Sequence, residues 1–223
     1  REEAYSTGIQ HRKRNRRLVR WLLCLNGRKY GLSSVESEIK ESEVERMRTV
    51  AVVNLKGGVG KSTTAINMAL IMSQAHGKNV LLIDNDFQAA VTKFFGKHSY
   101  DKPSMEDVLR NPMLSAEEVI IPSGRWGLDI IPSNMNLVAA ADDLITDKDG
   151  DQMGRIRHVL NQVEEDYDYC IIDCHPGVGI EVLNALAAAE DIIIPIKADK
   201  NALDGMEELD DIIQEIRPYN EKL

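Results

Sequence analysis

The chain has 223 residues with a formal net charge of −9 at pH 7, and 43% of them are hydrophobic but only 5% aromatic. This length suits one α/β domain with an aliphatic core and falls short of two full domains. Because no apolar run approaches the ~20 residues of a membrane span and three cysteines make no disulfide framework, we expect a soluble, cytoplasmic protein.

Charge divides the chain into two parts. Residues 1–46 contain 11 Lys/Arg and 7 Asp/Glu, whereas residues 47–223 contain 16 Lys/Arg and 29 Asp/Glu. We interpret 1–46 as a basic, poorly ordered or non-native extension, the alternative being a basic arm that contacts nucleic acid. The acidic domain at 47–223 argues against a wholly basic DNA-binding surface, and it would attract a basic segment of a partner.

Strands and helices are predicted to alternate from residue 47 onward. Apolar runs predict strands at 49–54, 80–83, 119–121, 128–131, 169–172 and 192–196. Helical spacing and capping residues predict helices at 60–75, 104–110, 134–145, 152–165, 180–188 and 202–216, with a short helical or irregular segment at 87–95. This succession predicts an α/β fold with a mostly parallel, doubly wound sheet, which binds ligands at the carboxyl ends of its strands.

A glycine-rich sequence, Lys-Gly-Gly-Val-Gly-Lys-Ser-Thr, occupies 56–63 between the first predicted strand and the first helix. Glycines let the backbone N–H groups turn toward phosphate oxygens, and a helix N-terminus adds partial positive charge. The residues whose backbone would line this site are Gly57, Gly58, Val59 and Gly60. Lys61 is placed to neutralise the β- and γ-phosphates of a nucleotide, Ser62 to bind Mg²⁺ and Thr63 to face the α-phosphate.

Acidic residues follow two other predicted strands. Asp84 and Asp86 follow the strand at 80–83, and Asp173 follows the strand at 169–172. Two carboxylates spaced by two residues point the same way, so one can hold Mg²⁺ through water and the other can orient an attacking water. Asp173 would give the same metal a further carboxylate.

Position 55 carries leucine where the general phosphate-loop pattern has glycine. The loop also has a lysine at position 56, in addition to Lys61, and this lysine indicates a particular class of phosphate loop. Lys56-Gly57-Gly58 resembles the deviant Walker A signature shared by ParA, MinD, nitrogenase iron protein and arsenical-pump ATPases. The segments 130–134, 193–196 and 203–206 resemble later segments of the ParA group. We therefore identify residues 47–223 as a member of the ParA/MinD family of P-loop ATPases.

The resemblance implies roles for individual residues. In this family an ATP sandwich homodimer forms in which the signature lysine, here Lys56, reaches the partner's nucleotide. Asp86 takes the water-orienting role, Asp84 the magnesium side, and Gly177 senses the γ-phosphate. Two positions depart from the pattern, since Phe87 and His175 stand where family members usually or often have proline. We interpret His175 as a switch-loop residue and not as a catalytic one.

The sequence thus predicts a ParA-type partition ATPase for plasmids or chromosomes, associated with the bacterial nucleoid. Such a protein binds ATP and Mg²⁺, dimerises, binds non-specific DNA, and hydrolyses ATP slowly until a centromere-binding partner stimulates it. One alternative is a MinD-like membrane-positioning ATPase, and another is an ATP-binding regulator or scaffold without significant turnover. Because family members usually continue through further strands, we expect the ATPase domain to be truncated at the C-terminus.

Overall fold

The computed structural model describes residues 46–147, 150–197, 202–220 and 222–223, without the side chains of 202–204. Met47–Leu223 forms one compact unit. The extension predicted at 1–46 lies outside the described residues except for Arg46, and so do the side chains of positions 203 and 204 in the predicted later segment.

Within the described residues, six strands form one sheet in the order β3-β4-β2-β5-β1-β6. Their bounds are β1 Arg48–Val52, β2 Val80–Asn85, β3 Ile121–Arg125, β4 Leu128–Ile131, β5 Tyr169–Cys174 and β6 Asp191–Ile193. All neighbouring strands run parallel except β3, which pairs antiparallel with β4 at the edge. The predicted fold class, a mostly parallel doubly wound α/β sheet, is confirmed.

The helices alternate with the strands along the chain. Their bounds are α1 Lys61–Leu70, α2 Ala90–Phe94, α3 Met105–Arg110, α4 Ala116–Val119, α5 Asn136–Thr146, α6 Arg155–Asn161, α7 Ile180–Ala188 and α8 Ala202–Ile216. A π-helical turn, Ile71–Ala75, continues α1, and a 3₁₀ turn, Arg217–Tyr219, follows α8. Ser104 and Asp107 form a reciprocal capping box at the start of α3, as a serine cap predicts.

Three predicted elements need correction. The strand predicted at 119–121 is wrong, because Val119 ends α4, whose own capping box joins Ser115 and Glu118; β3 begins only at Ile121. The strand predicted at 192–196 ends at Ile193, two residues before Pro195, which lacks the N–H that continued pairing needs. The helix predicted at 152–165 is shorter at both ends.

Helices cover both faces of the sheet. On one face, Ala65, Ile66 and Ala69 of α1 pack on apolar side chains of the central strands. On the other face, a larger cluster joins the sheet to α3, α4, α5, α6 and α7. No helix within the described residues is long and apolar enough to cross a membrane.

The three strands predicted to carry chemistry are direct neighbours, in the order β2-β5-β1. Asp84 of β2 lies in register with Asp173 of β5, and Val52 of β1 lies in register with Asp173 as well. In parallel strands, residues in register share a face of the sheet. The fold therefore brings Asp84, Asp173 and the loop after β1 together at one edge, on the face covered by α1.

Candidate nucleotide-binding site

The loop between β1 and α1 has a backbone that glycine makes possible. Gly58 has φ +69° and Gly60, the residue before α1, has φ +97°, values that other residues rarely adopt. The N–H groups of Gly57, Gly58 and Gly60 donate no hydrogen bond to the main chain of any described residue. An ideal Cβ atom at any of these three glycines would meet no atom within 4 Å. The loop is thus an open concave turn and not a closed, internally bonded one.

Asn54 holds the start of this loop. Its side-chain oxygen accepts a hydrogen bond from the N–H of Lys56 at 2.8 Å, and its side-chain nitrogen donates to the carbonyl of Pro195 at 2.9 Å. The second bond joins the end of β1 to the segment that follows β6. Asn54 therefore fixes where the glycine turn leaves the sheet.

Lys61 begins α1 and folds back over the loop. Its Nζ donates to the carbonyl oxygen of Lys56 at 2.8 Å, and only 7% of the residue is exposed. Burial lowers the pKa of this ammonium, while the nearby carboxylates of Asp173 and Asp86 act in the opposite direction. The first turn of α1 contains no acidic residue, so its partial positive charge is left for an external anion.

Asp173, in β5, is fully buried. Neither of its carboxylate oxygens has a hydrogen-bond partner of ordinary geometry among the described residues, although the Ser62 hydroxyl is close enough to favour the ionised form. Burial raises the pKa of this carboxyl to about 7; Ser62 and Lys61 oppose the rise, and Asp84 and Asp86 add to it. A buried carboxyl in this condition needs either a proton or a cation.

Asp84 lies in β2 at the register position next to Asp173. It is fully buried, and one of its two carboxylate oxygens is hydrogen-bonded. Its Oδ2 accepts hydrogen bonds from the N–H and the hydroxyl of Thr92, at 2.7 and 2.6 Å, while its Oδ1 has no partner among the described residues. Burial raises its pKa to about 6, against the effect of the Thr92 bonds. The Thr92 hydroxyl in turn accepts from the N–H of Ser133 at 2.8 Å. The protein itself thus uses one of the two oxygens that the sequence predicted for the magnesium side.

Asp86 follows β2 and is 7% exposed. Its Oδ1 accepts from the N–H of Gln88 at 2.7 Å, and its carbonyl accepts from the N–H of Ala89 at 2.8 Å. These two bonds close a tight turn, which fixes the rotation of the Asp86 carboxyl. Asp86 and Asp173 both lie close enough to Lys61 for their charges to act on its ammonium.

The remaining predicted residues lie around this centre. Ser62 and Thr63 occupy the first turn of α1, with Ser62 half-buried and Thr63 exposed, and Lys56 and Val59 lie half-buried in the loop. Gly177, with φ +122°, lies in the loop after β5. The role of Lys56 at a second copy of the chain stays a prediction.

The residues present fit a nucleotide with a magnesium ion. Among the described residues, no group of three or more His, Cys, Asp and Glu side chains forms a ready cation cage. Mg²⁺ needs none, because it usually binds through one or two protein ligands, water and substrate phosphates. A glycine turn with free amides, Lys61, and a buried carboxyl without a partner provide those few contacts.

The sequence interpretation missed two residues that position the site. Asn54 and Thr92 hold the loop and Asp84 through side-chain hydrogen bonds. Asparagine after a strand is a usual partner for the amide two residues later, so Asn54 had a local signal. Thr92 had none, because its eight-residue separation from Asp84 follows no motif.

The chain is similar to proteins of one known family. A family model described as "AAA domain" matches residues 47–223. The sporulation initiation inhibitor protein Soj of Bacillus subtilis is 33% identical over 163 residues, which cover 73% of this chain and 63% of Soj. The chain spans 53% of the length of another curated relative, an uncharacterized protein of Mycobacterium tuberculosis.

Two solved structures show similar folds. A complex of Cyanothece McdA with ATP, formed by a single-substitution variant of McdA, superposes with a TM-score of 0.71 at 26% identity, covering 77% of this chain and 65% of McdA. Mycobacterium smegmatis cobyrinic acid a,c-diamide synthase, solved with ADP and magnesium, has a TM-score of 0.70 at 31% identity, covering 79% of this chain and 71% of the synthase.

Fold and site together define a P-loop α/β nucleotide-binding protein. Within that class, the chain belongs to the AAA domain family of ParA- and MinD-type proteins, and it is of the ParA partition type.

Proposed function

We propose that this chain is the nucleotide-binding part of a partition ATPase that binds ATP with Mg²⁺, closes into a homodimer, and binds non-specific DNA in that state. Slow hydrolysis, stimulated by a basic segment of a centromere-binding partner, reopens the dimer in a bacterial cytoplasm. The observation that carries the proposal is the buried Asp173, whose carboxylate oxygens have no hydrogen-bond partner of ordinary geometry among the described residues and which lies beside Lys61 and Ser62.

The chemistry of the site explains why these residues belong together. A bound Mg·ATP supplies the phosphate bond to be broken and the cation that spreads its charge. The free amides of 57–60 and the Lys61 ammonium bind phosphate oxygens, and Ser62, Asp84 and Asp173 hold the magnesium side. Asp86, fixed by its turn, orients water toward the phosphate. Positioning and charge account for most of the catalysis in this class of reaction, so no strong base is required.

The proposals of dimerisation, DNA binding and partner stimulation rest on the family of the chain and on the charge of residues 47–223. The name of one relative, the chromosome partitioning protein ParA of Myxococcus xanthus, supports the partition role. Residues 47–223 carry 16 Lys/Arg against 29 Asp/Glu, so a DNA contact on this domain must be local. The same excess of acids attracts a basic partner segment.

Nucleotide binding is the first test. Titration with a fluorescent ATP analogue, with and without Mg²⁺, should show magnesium-dependent binding. Lys61→Ala removes a charge-assisted contact to phosphate and should weaken binding by roughly 10- to 150-fold. Lys102→Ala, which removes an exposed lysine outside the loop, is the matched control and should bind like the wild type. Equal, magnesium-independent binding by all three proteins would refute the proposal.

Lys56→Ala tests the dimer. We expect it to retain nucleotide binding but to lose both ATP-dependent dimerisation, measured by light scattering, and DNA-stimulated turnover. Unchanged turnover would exclude the sandwich dimer. ATP-dependent binding to liposomes would instead support the MinD-like alternative, and ATP binding without hydrolysis under any stimulation would support the regulator or scaffold.

A further inference from the structure

Two aromatic side chains join the loops that follow β2 and β5. The ring of Phe87 and the ring of His175 lie with centroids 4.4 Å apart and planes inclined by 38°. Phe87 comes directly after Asp86, and His175 comes two residues after Asp173 and two before Gly177.

Further contacts fix the surroundings of this ring pair. The N–H of His175 donates to the carbonyl of Asn85 at 3.2 Å, which extends the β2–β5 ladder by one bond. The Asn85 side chain donates to the carbonyl of Glu181, in the first turn of α7, at 2.8 Å. His175 Nδ1 lies 3.6 Å from Glu181 Oε1, and Phe87 also packs against the core. Contacts from β2, from α7 and from the core therefore hold the two rings in place.

The turn around Phe87 connects the Phe87–His175 ring pair to the candidate site. The bond from the N–H of Gln88 to Asp86 Oδ1 and the bond from the N–H of Ala89 to the Asp86 carbonyl both span Phe87. Ala89 itself has φ +54°, a left-handed conformation that a non-glycine residue adopts only when its surroundings enforce it. A shift of the Phe87 backbone would therefore move the Asp86 carboxyl.

We propose that Phe87 and His175 are a pair of positioning residues whose ring contact makes the Asp86 loop and the Gly177 loop move as one unit. The inference rests on the proposed function, because it assigns the pair to the water-orienting carboxyl and the switch loop of that site. Neither ring is a catalytic residue. Their separation of 88 positions in the sequence means that the contact couples two loops and does not stabilise one of them locally.

Hydrogen exchange of the full chain without nucleotide tests the coupling directly. Phe87→Ala should speed amide exchange in the loop at 174–178, and His175→Ala should speed it in the loop at 86–89. His175→Phe, which keeps a ring, should restore protection at 86–89, and Phe87→Leu, which keeps apolar bulk without a ring face, should not restore protection at 174–178. Exchange that changes only in the mutated loop would overturn the proposal.

Steady-state ATP turnover supplies the second readout. Each single alanine variant should lower kcat by about 2- to 10-fold, the range expected for one aromatic contact, with little change in KM, and the double variant should lose no more than the larger single effect. The exposed pair His98 and Tyr100, whose rings lie 5.1 Å apart, gives the matched control cycle and should leave kcat unchanged. Additive losses, or equal losses in kcat and affinity, would contradict the pairing.

The two proposals fail in different ways. A wild-type chain that binds no nucleotide defeats the proposed function, and with it the role of the pair in positioning Asp86. A wild-type chain that binds and hydrolyses ATP while its loops exchange independently defeats only the inference about Phe87 and His175.

Discussion

The Asp173→Asn variant should gain stability relative to the wild type as the pH rises, while losing metal-dependent nucleotide binding. Burial raises the pKa of Asp173 to about 7 from an ordinary value of 3.8. The folded chain therefore holds this proton more tightly than the unfolded chain does, and the resulting stability is lost as the pH rises through about 7. At pH well above 7 the full cost of ionising Asp173 is about 4 kcal/mol.

The pH dependence separates this effect from any change in packing. An asparagine side chain does not titrate, so its own contribution to the free energy of unfolding is the same at every pH. The difference in unfolding free energy between variant and wild type should therefore grow in favour of the variant by about 2–3 kcal/mol between pH 5 and pH 8. For a domain of this size that is a relative gain in Tm of roughly 5–10 °C.

Thermal and chemical unfolding of both proteins at pH 5, 6, 7 and 8, without nucleotide, measures this difference. Asp142→Asn, at an exposed position on α5, is the control and should show no such trend. Adding Mg·ATP at about 100 times its Kd should stabilise the wild type by about 2.7 kcal/mol and the Asp173→Asn variant far less. A stability difference that stays constant from pH 5 to pH 8 would falsify the view that Asp173 is a buried, unsatisfied carboxyl.

Three other substitutions test the parts that surround this carboxyl. Thr92→Val should cost about 1–3 kcal/mol in denaturant unfolding, because Asp84 loses a buried donor, while Thr92→Ser should cost much less; equal costs would contradict this. Gly60→Ala should lower stability by roughly 1–2 kcal/mol and weaken nucleotide binding as well, since alanine strains a backbone at φ +97°; an unchanged Tm would count against the strain. Ser104→Ala should lower stability by about 1 kcal/mol through loss of the α3 cap, with nucleotide affinity unchanged, and a drop in affinity would show that the cap acts on the site.

The elements that carry the site were predictable because their signals are local. The apolar runs of β1, β2 and β5 and the glycine turn before α1 specify strands, a turn and a helix without help from distant residues. The strand predicted at 119–121 is wrong because this short apolar run begins inside α4, the helix that Ser115 caps. A run of that length does not distinguish the end of a helix from the start of a strand.

Local sequence signals do not predict which strands pair with each other. The sequence predicts that Asp84 and Asp173 follow strands, but the order β2-β5-β1 is what places them in register. The strand predicted at 80–83 also stops short of Asp84, whereas in the structure β2 continues through Asn85. Including Asp84 in the strand fixes its side chain on the α1 face, where Thr92 meets it. Such a contact depends on how α2 packs, which no spacing in the sequence reveals.

At this edge of the sheet, the distribution of polar groups with and without hydrogen-bond partners supports a binding role. The residues that shape the site are joined by hydrogen bonds: the Lys56 N–H donates to Asn54, Asn54 donates to Pro195, Thr92 donates to Asp84, and the Gln88 N–H donates to Asp86. Among the groups without a partner of ordinary geometry within the described part of the chain are the glycine amides, Asp84 Oδ1 and both Asp173 oxygens. A protein selected only for stability would replace that carboxyl with an apolar or amide side chain. Retaining it at a cost of several kcal/mol is expected where a cation restores the balance, since functional sites are where folded proteins depart from their own packing rules.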